Sequence, residues 1–398
     1  MRRGPARPGE SARRLDGCSR KVVKTRIVIS AITVLVGASG CGPSTPSLPE
    51  PGPLRSFEIP WPNAFPSDIL VDSIGRVWFT DRLTHAIGRF DPESESFTRY
   101  PTPTPRSAPY GFKAGPDGGF WFAESNGGRL GRIDPATGVI EEIELDPPAN
   151  PTLLAWSGDA LWFTARHDDI VGRYDLPTGR IDLWPSPVAA PYGIAAPPGG
   201  GVWVGAHGGT QLFRVDLLPE GGAGSGTGSG AGSGAESGAV LDLSEPRPLR
   251  LTEAQRERIS AERLEELENR RIGLGFRRIA AAPDGRIWVT GFNTARVVGT
   301  HPATRERESL PFLNPGAEPY GITVDPWGRV WYGLRGDEMV GVRDPGGGAG
   351  ARYRLPVVGG TVRDIAVDVV RGRVWLPQSD VGVLTVIVLG GGEPPAAR

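Results

Sequence analysis

The sequence predicts an all-β protein, a seven-bladed β-propeller of four-stranded blades whose ring is closed by an N-terminal strand in the last blade, with one helical insertion. Three observations carry this. Gly and Pro make up 58 and 40 of the 398 residues and long periodic apolar segments are scarce, the composition of many short strands joined by turns. Tryptophan recurs at 78, 121, 162, 203, 288, 331 and 375, with spacings of 43, 41, 41, 85, 43 and 44, the period of a propeller blade. Each unit also reads alike: an apolar strand, a Gly turn, a strand with Trp, a polar loop, a strand ending near Gly-Arg-x-Asp-Pro, and a last strand.

The first 40 residues read as a secretory leader. Residues 1–26 hold nine Lys or Arg against two acids, and the apolar run Ile27–Val36 is too short to span a membrane. Ala38-Ser39-Gly40-Cys41 resembles a lipobox, which makes Cys41 the acylated first residue of the mature chain and 41–54 a tether. Cleavage there also removes Cys18, leaving one cysteine and no internal disulfide. Beyond the leader stand 35 basic and 43 acidic residues, a net −8 that disfavours a nucleic-acid partner. The expected location is extracytoplasmic, lipid-anchored to the bacterial cell envelope, and nothing in the sequence demands more than a monomer.

The propeller is expected over 55–389, ahead of a flexible tail at 390–398. Ser56-Phe57-Glu58-Ile59-Pro60 resembles the outer strands Phe97–Tyr100 and Ile181–Trp184, yet no inner strands precede it. The last unit, by contrast, stops one strand short. Pairing the two closes the ring. Asp117-Gly118 and Asp284-Gly285 mark the first turn of a blade, because Gly accepts the positive φ of a tight hairpin. Gly88, Gly131, Gly172 and Gly341 each fall ten residues after their Trp. Each Trp is expected to fill the space against a neighbouring blade.

The double gap between Trp203 and Trp288 lacks Trp and β-character, so it reads as an insertion, 218–275. Residues 219–238 form a Gly/Ser linker, and Val240–Leu243 resumes the outer-strand pattern. Thr252–Arg271 reads as a helix, with a Thr252/Gln255 capping box, a Glu266/Arg270 pair and Gly273 at its stop. Alternating strand direction puts the linker on the lower face and the helix on the upper one, where it is a lid, a docking arm or a solvated excursion.

Pro191-Tyr192-Gly193-Ile194, Pro319-Tyr320-Gly321-Ile322, Trp78-Phe79-Thr80, Trp121-Phe122-Ala123-Glu124 and Leu130-Gly131-Arg132-Ile133 resemble the repeats of the virginiamycin B lyase (streptogramin lyase) family of seven-bladed propellers. The resemblance covers roughly Arg55–Leu389 without the insertion. It implies a carbon-oxygen lyase in which Mg2+ assists an elimination that linearises a cyclic depsipeptide, with histidine as general base and a glutamate placing the metal. The family carries its histidines at the starts of inner strands. Here those starts are Ser67-Asp68, Tyr110-Gly111, Thr152-Leu153, Tyr192-Gly193, Arg277-Arg278, Tyr320-Gly321 and Arg363-Asp364, none with histidine. Glu124 matches the family position three residues after Trp, and Asp81 is its shorter counterpart one blade earlier. Both are metal candidates, with loop-tying as the alternative.

Of four histidines, His301 is placed on the lower face, whereas His85, His167 and His207 follow Trp strands on the upper face. His167 and His207 come from successive blades and are the candidates for a relocated base. Arg82, Arg166, Arg277, Arg278, Arg335 and Arg363 crowd the same rim. Forked guanidinium groups suit a carboxylate or phosphate ligand, while Asp68, Asp81, Glu124, Asp168, Asp337 and Asp364 offer them an internal salt-bridge network instead. Tyr110, Tyr192 and Tyr320 are candidates to stack on a ligand. No Gly-x-Ser-x-Gly elbow, phosphate-binding loop, His-Glu-x-x-His or Cys-x-x-Cys occurs. Two functions are expected: binding of a small anionic or peptide-like ligand or an envelope protein on the upper face, or a divergent lyase or lactonase.

Overall fold

The structure, a computed structural model, describes residues 51–198, 200–207, 209–217, 235–243, 245–246, 271–272, 275–312, 314–344 and 350–389. The leader, Cys41, most of the tether, residues 219–234 of the linker, residues 252–270 of the expected helix and the tail lie outside them.

Seven four-stranded antiparallel sheets form a ring. Blade 1 comprises Pro66–Val71, Val77–Asp81, Ala86–Asp91 and Ser96–Pro101, and blade 2 Pro109–Ala114, Phe120–Glu124, Arg129–Ile133 and Ile140–Glu144. Blade 3 comprises Leu153–Ser157, Ala160–Ala165, Ile170–Asp175 and Arg180–Pro185, and blade 4 Pro191–Ala195, Val202–Ala206, Gln211–Leu217 and Ala235–Asp242. Blade 5 runs through Phe276–Ala281, Ile287–Gly291, Arg296–Thr300 and Arg307–Pro311, and blade 6 through Pro319–Val324, Val330–Leu334, Met339–Arg343 and Ala351–Arg354. Blade 7 has Ala366–Asp368, Arg373–Gln378 and Val383–Leu389, and takes its outer strand, Pro51–Glu58, from the other end of the propeller. Phe57 sits opposite Leu384 and Arg55 opposite Val386 in that pair, so the expected closure is present.

Three boundaries differ from expectation. The closing strand starts at Pro51 rather than Arg55, because its ladder with Val383–Leu389 continues past a register shift. The outer strand of blade 4 starts at Ala235, inside the expected linker. Backbone pairing with Gln211–Leu217 carries the strand back to Ala235. Arg271 is not helical but pairs with Pro246 in a two-residue ribbon that brings the ends of the remaining insertion together.

The Trp-aromatic-Thr run explains itself in this ring. All seven repeat tryptophans are at most 4% exposed. Trp78 meets Phe120 of blade 2 at 5.4 Å between ring centroids, Trp121 meets Tyr174 of blade 3 at 5.3 Å, and Trp375 meets Phe90 of blade 1 at 5.7 Å. The next residue covers the glycine opposite it on the third strand. Added Cβ atoms at Gly88, Gly131 and Gly172 would lie 2.1 Å from the rings of Phe79, Phe122 and Phe163. The threonine then ties blade to blade, as Thr80, Thr164 and Thr290 donate their hydroxyls to the carbonyls of Tyr110, Tyr192 and Tyr320 at 2.7, 2.9 and 2.9 Å. Each such bond fixes the start of the next inner strand.

Candidate functional site

The upper face, where inner strands start and second strands turn into third strands, collects the polar residues of the axis. Register shifts at the starts of the inner strands of blades 1, 2, 4, 5 and 6 insert an extra residue there. A bulge of this kind re-aims the side chains beside it. In Tyr-Gly starts the glycine is forced by its neighbour: a Cβ on Gly111 would sit 2.7 Å from the Thr152 carbonyl, and one on Gly321 2.8 Å from that of Val362.

The three tyrosines meet at the axis. The Tyr110 and Tyr192 hydroxyls are 2.6 Å apart, those of Tyr192 and Tyr320 3.0 Å, and those of Tyr110 and Tyr320 3.3 Å. Arg363 donates to the Tyr320 hydroxyl at 2.9 Å. Burial raises the Tyr320 phenol to about 12 and pushes Tyr192 up as well. Burial acts in the same sense on Tyr110, but the guanidinium groups of Arg278 and Arg363 outweigh it and leave that phenol below its ordinary value.

Arg278 of blade 5 reaches across to Asp68 of blade 1 with both terminal nitrogens, one bond being 3.0 Å, and its guanidinium lies 5.3 Å from the Tyr110 ring. Asp68 also accepts from the Phe112 amide, and Asp364 accepts from that of Ile69, both at 3.3 Å. Sequence reasoning did not pair Arg278 with Asp68. The signal was present, since both occupy a position that is Gly or Leu in four other blades. A cavity of about 300 Å³, lined by residues that include Lys113, Leu154, Ile194, Arg278, Thr323 and Asp364, adjoins this bridge.

Cations crowd around the tyrosines. The guanidinium of Arg82 lies 5.5 Å from the Tyr110 ring, that of Arg166 5.7 Å from Tyr192, that of Arg277 4.3 Å from Phe292, and that of Arg363 5.0 Å from both Phe65 and Tyr320. Phe292 in turn meets Tyr320 edge-on at 6.2 Å. Arg335 is paired with Glu318 at 2.6 Å, and Arg363 stands 3.9 Å from Asp380. Arg82, Arg166 and Arg277 form no ion pair with any described residue. The acids next to Arg166 are used elsewhere: Asp168 accepts from the Asn150 amide at 2.7 Å and Asp169 from that of Ala190 at 2.6 Å.

His207 lies edge-on to the Tyr192 ring at 5.1 Å. Burial first, then the charges of Arg277, Arg166 and His167, lower its imidazole to about 4. It is neutral near pH 7. His167 is exposed on the same rim. His85 accepts from the Ala108 amide, and His301 accepts from the amides of Ala303 and Thr304 in a turn on the lower face.

The two metal candidates differ in their surroundings. Asp81 accepts from the Trp61 indole at 2.6 Å and the Phe65 amide at 2.9 Å, tying down the segment after the closing strand. Glu124 is fully buried, and neither carboxyl oxygen has a hydrogen-bond partner within ordinary geometry. Burial, then the neighbouring Glu142, raise it to about 8, so it holds its proton at neutral pH. Among the described residues no three or more His, Cys, Asp or Glu are grouped to hold a metal ion. Magnesium keeps several waters in its octahedral array and is held through one or two ionised carboxylates. With Asp81 engaged and Glu124 protonated, these residues do not fit it.

Residues 45–220 match the Virginiamycin B lyase family. Among solved structures, a streptogramin B lyase superposes with a TM-score of 0.65 at 19% identity, covering 85% of this chain and 98% of that one. Virginiamycin B lyase from Staphylococcus aureus gives 0.66 at 18% identity, covering 85% of this chain and 99% of that one. A catalytically inactive form of it with quinupristin gives 0.66 at 17%, with the same coverage. No curated protein matches this chain. The expected resemblance therefore holds across residues 45–220, and the likeness to the solved lyases is one of fold.

Proposed function

We propose that this propeller, with the fold of the virginiamycin B lyases, is a binding domain whose upper face takes a small anionic ligand, free or as the acidic group of a peptide or envelope protein. One observation carries the reading: Arg82, Arg166 and Arg277 stand around a hydrogen-bonded tyrosine plug without a carboxylate partner among the described residues. Guanidinium groups held on aromatic faces, partly dry and unpaired, are poised for an oxyanion. Tyr110, Tyr192 and Tyr320 supply a floor through one another rather than as separate stacking platforms, and Arg363 and Arg335 border it. In this proposal acylation of Cys41 tethers the domain to the bacterial cell envelope.

The test is calorimetric titration of the purified protein with a panel of carboxylates, phosphates and their neutral amide or ester analogues. Anions should bind, neutral analogues should not, and affinity should fall as salt rises. Equal binding of neutral analogues would overturn the reading.

The match over residues 45–220 favours a second reading, a divergent lyase or lactonase acting on a cyclic ester. His207, neutral at pH 7, is in the protonation state a general base needs, and His167 lies beside it on the rim. No step through magnesium is derived, since Asp81 and Glu124 do not make a donor set. Incubation with a streptogramin B or simple lactones, followed by mass, decides it: ring opening lost on His207→Ala supports catalysis, and intact substrate refutes it.

A further inference from the structure

Three parts of the upper rim differ in how their cations are occupied. On the blade 6 and 7 side, Arg335 is spent on Glu318, and Arg363 on the Tyr320 hydroxyl and Asp380. On the blade 1 side, Arg82 stands singly over Tyr110. Over blades 3 to 5, Arg166 and Arg277 have no ion-pair partner among the described residues: the Arg166 guanidinium and the His207 imidazole share the Tyr192 ring, Arg277 lies over Phe292, which meets Tyr320 beside Tyr192, and after burial both cations act on His207. They also act on each other, and with burial this lowers Arg277. Like charges held together without an acid between them are a standing cost unless something negative joins them.

We propose that Arg166, Arg277 and His207 form a single oxyanion subsite that takes one phosphate or carboxylate group. The inference rests on the upper-face binding reading and assigns one sector of that face to the anionic group. Each member is held by its own scaffold. Arg166 leaves a hairpin pinned by Asp168 to the Asn150 amide, by Asp169 to the Ala190 amide, and by the Asp169 carbonyl to the Ser186 amide at 2.7 Å. The His207 amide donates to the Ala190 carbonyl at 2.8 Å, and its ring rests on Tyr192, as the Arg166 guanidinium does. Arg277 is fixed between Phe292 and the carbonyls of Gly275 and Phe276. Such preorganisation lowers the ordering cost of binding.

The chemistry gives the subsite a signature. The groups facing His207 are Arg166 and His167 of blade 3, Tyr192 of its own blade and Arg277 of blade 5. Burial first, then these cations, keep it neutral, and a bound oxyanion offsets the cations' share. The imidazole then takes up a proton and donates to the anion as well.

Inorganic phosphate and, separately, acetate are titrated calorimetrically into the full protein, into R166A/R277A and into R286A, which removes a cation from the lower face. Binding to R166A/R277A should be at least tenfold weaker for whichever oxyanion the wild type takes, while R286A should match the wild type. The His207 imidazole is followed by NMR with and without saturating anion, and its midpoint should rise from about 4 toward the ordinary value near 6.5. Unchanged affinity in R166A/R277A, with loss in R82A instead, would overturn this subsite and leave upper-face binding standing. An unmoved His207 midpoint at saturation likewise overturns the assignment. No oxyanion bound by the wild type, here or across the wider panel, would overturn both.

Discussion

Replacing Asp68 with asparagine should destabilise the propeller more than any surface substitution of equal size. Asp68 and Arg278 have side chains only 1% and 7% exposed, and they bridge blades 1 and 5. The amide would keep the volume and one acceptor but leave a guanidinium buried beside the Tyr110 ring. Removing one partner of a buried pair costs about 3–5 kcal/mol, chiefly from the charge left behind. Asp364 is near enough to act on Arg278, yet burial, the largest cause that pushes its carboxyl toward the protonated form, persists when the Asp68 charge is removed, so it is a poor substitute counterion. In a chain of this length the loss corresponds to about 4–6 °C in melting temperature. Urea unfolding followed by tryptophan fluorescence measures it directly, since the repeat tryptophans are buried in the folded ring. The pair Asp68→Leu/Arg278→Met, which removes both charges, should lose less than Asp68→Asn alone. A loss below about 0.5 kcal/mol for Asp68→Asn, the range of ordinary surface changes, would refute the reasoning.

Gly131→Ala places a Cβ 2.1 Å from the Phe122 ring and should cost about 1–3 kcal/mol by overpacking, read from the same urea midpoint. Glu124→Gln should flatten the pH dependence of stability. A carboxyl raised to about 8 in the folded state keeps a proton that the unfolded chain releases, so wild-type stability falls as pH rises through that window, on the order of 2 kcal/mol between pH 6.5 and 8. His207 acts in the opposite sense, losing stability only as pH falls below 6.5 toward about 4, which leaves the higher window to Glu124. Deleting Pro51–Glu58 uncovers the edge of Val383–Leu389 and should turn one cooperative melt into a broader one at lower temperature; an unchanged calorimetric profile would count against closure by that strand.

Much of the fold was legible because a propeller repeats its requirements. The Trp recurs in all seven blades, the glycine ten residues on in four and the Trp-aromatic-Thr run in two, and each answers a packing or hydrogen-bonding contact, so the copies expose the rule. The candidate site was legible only as a location. Tyr110, Tyr192 and Tyr320 were placed at the starts of inner strands, but that their hydroxyls lie within 2.6–3.3 Å of one another depends on three blades 82 to 210 residues apart. Likewise, the choice between ligand binding and salt bridges for the arginines turned on where the acids went. Asp168 looks in sequence like a partner for Arg166, yet the Asn150 amide claims it first, as the Ala190 amide claims Asp169.

The starts of the inner strands decide what a propeller of this kind can do, because the ring brings them together at one end of its axis whatever their side chains are. Residues for proton abstraction beside a metal would make that end a reaction chamber. Here the same positions carry three phenols that hydrogen-bond to one another, together with Arg277, Arg278 and Arg363, of which Arg278 is neutralised by Asp68 across the ring. The phenols spend their hydroxyls on one another and on Arg363, which leaves little free polar capacity at the centre. The charge that no described residue answers, at Arg82, Arg166 and Arg277, lies around that plug. On the proposed reading, a floor closed by hydrogen-bonded phenols within a rim of cations that have no carboxylate partner among the described residues suits holding an anion better than transforming a cyclic ester. If the fold keeps its shape while these positions change, function follows the seven strand starts rather than the blades that present them.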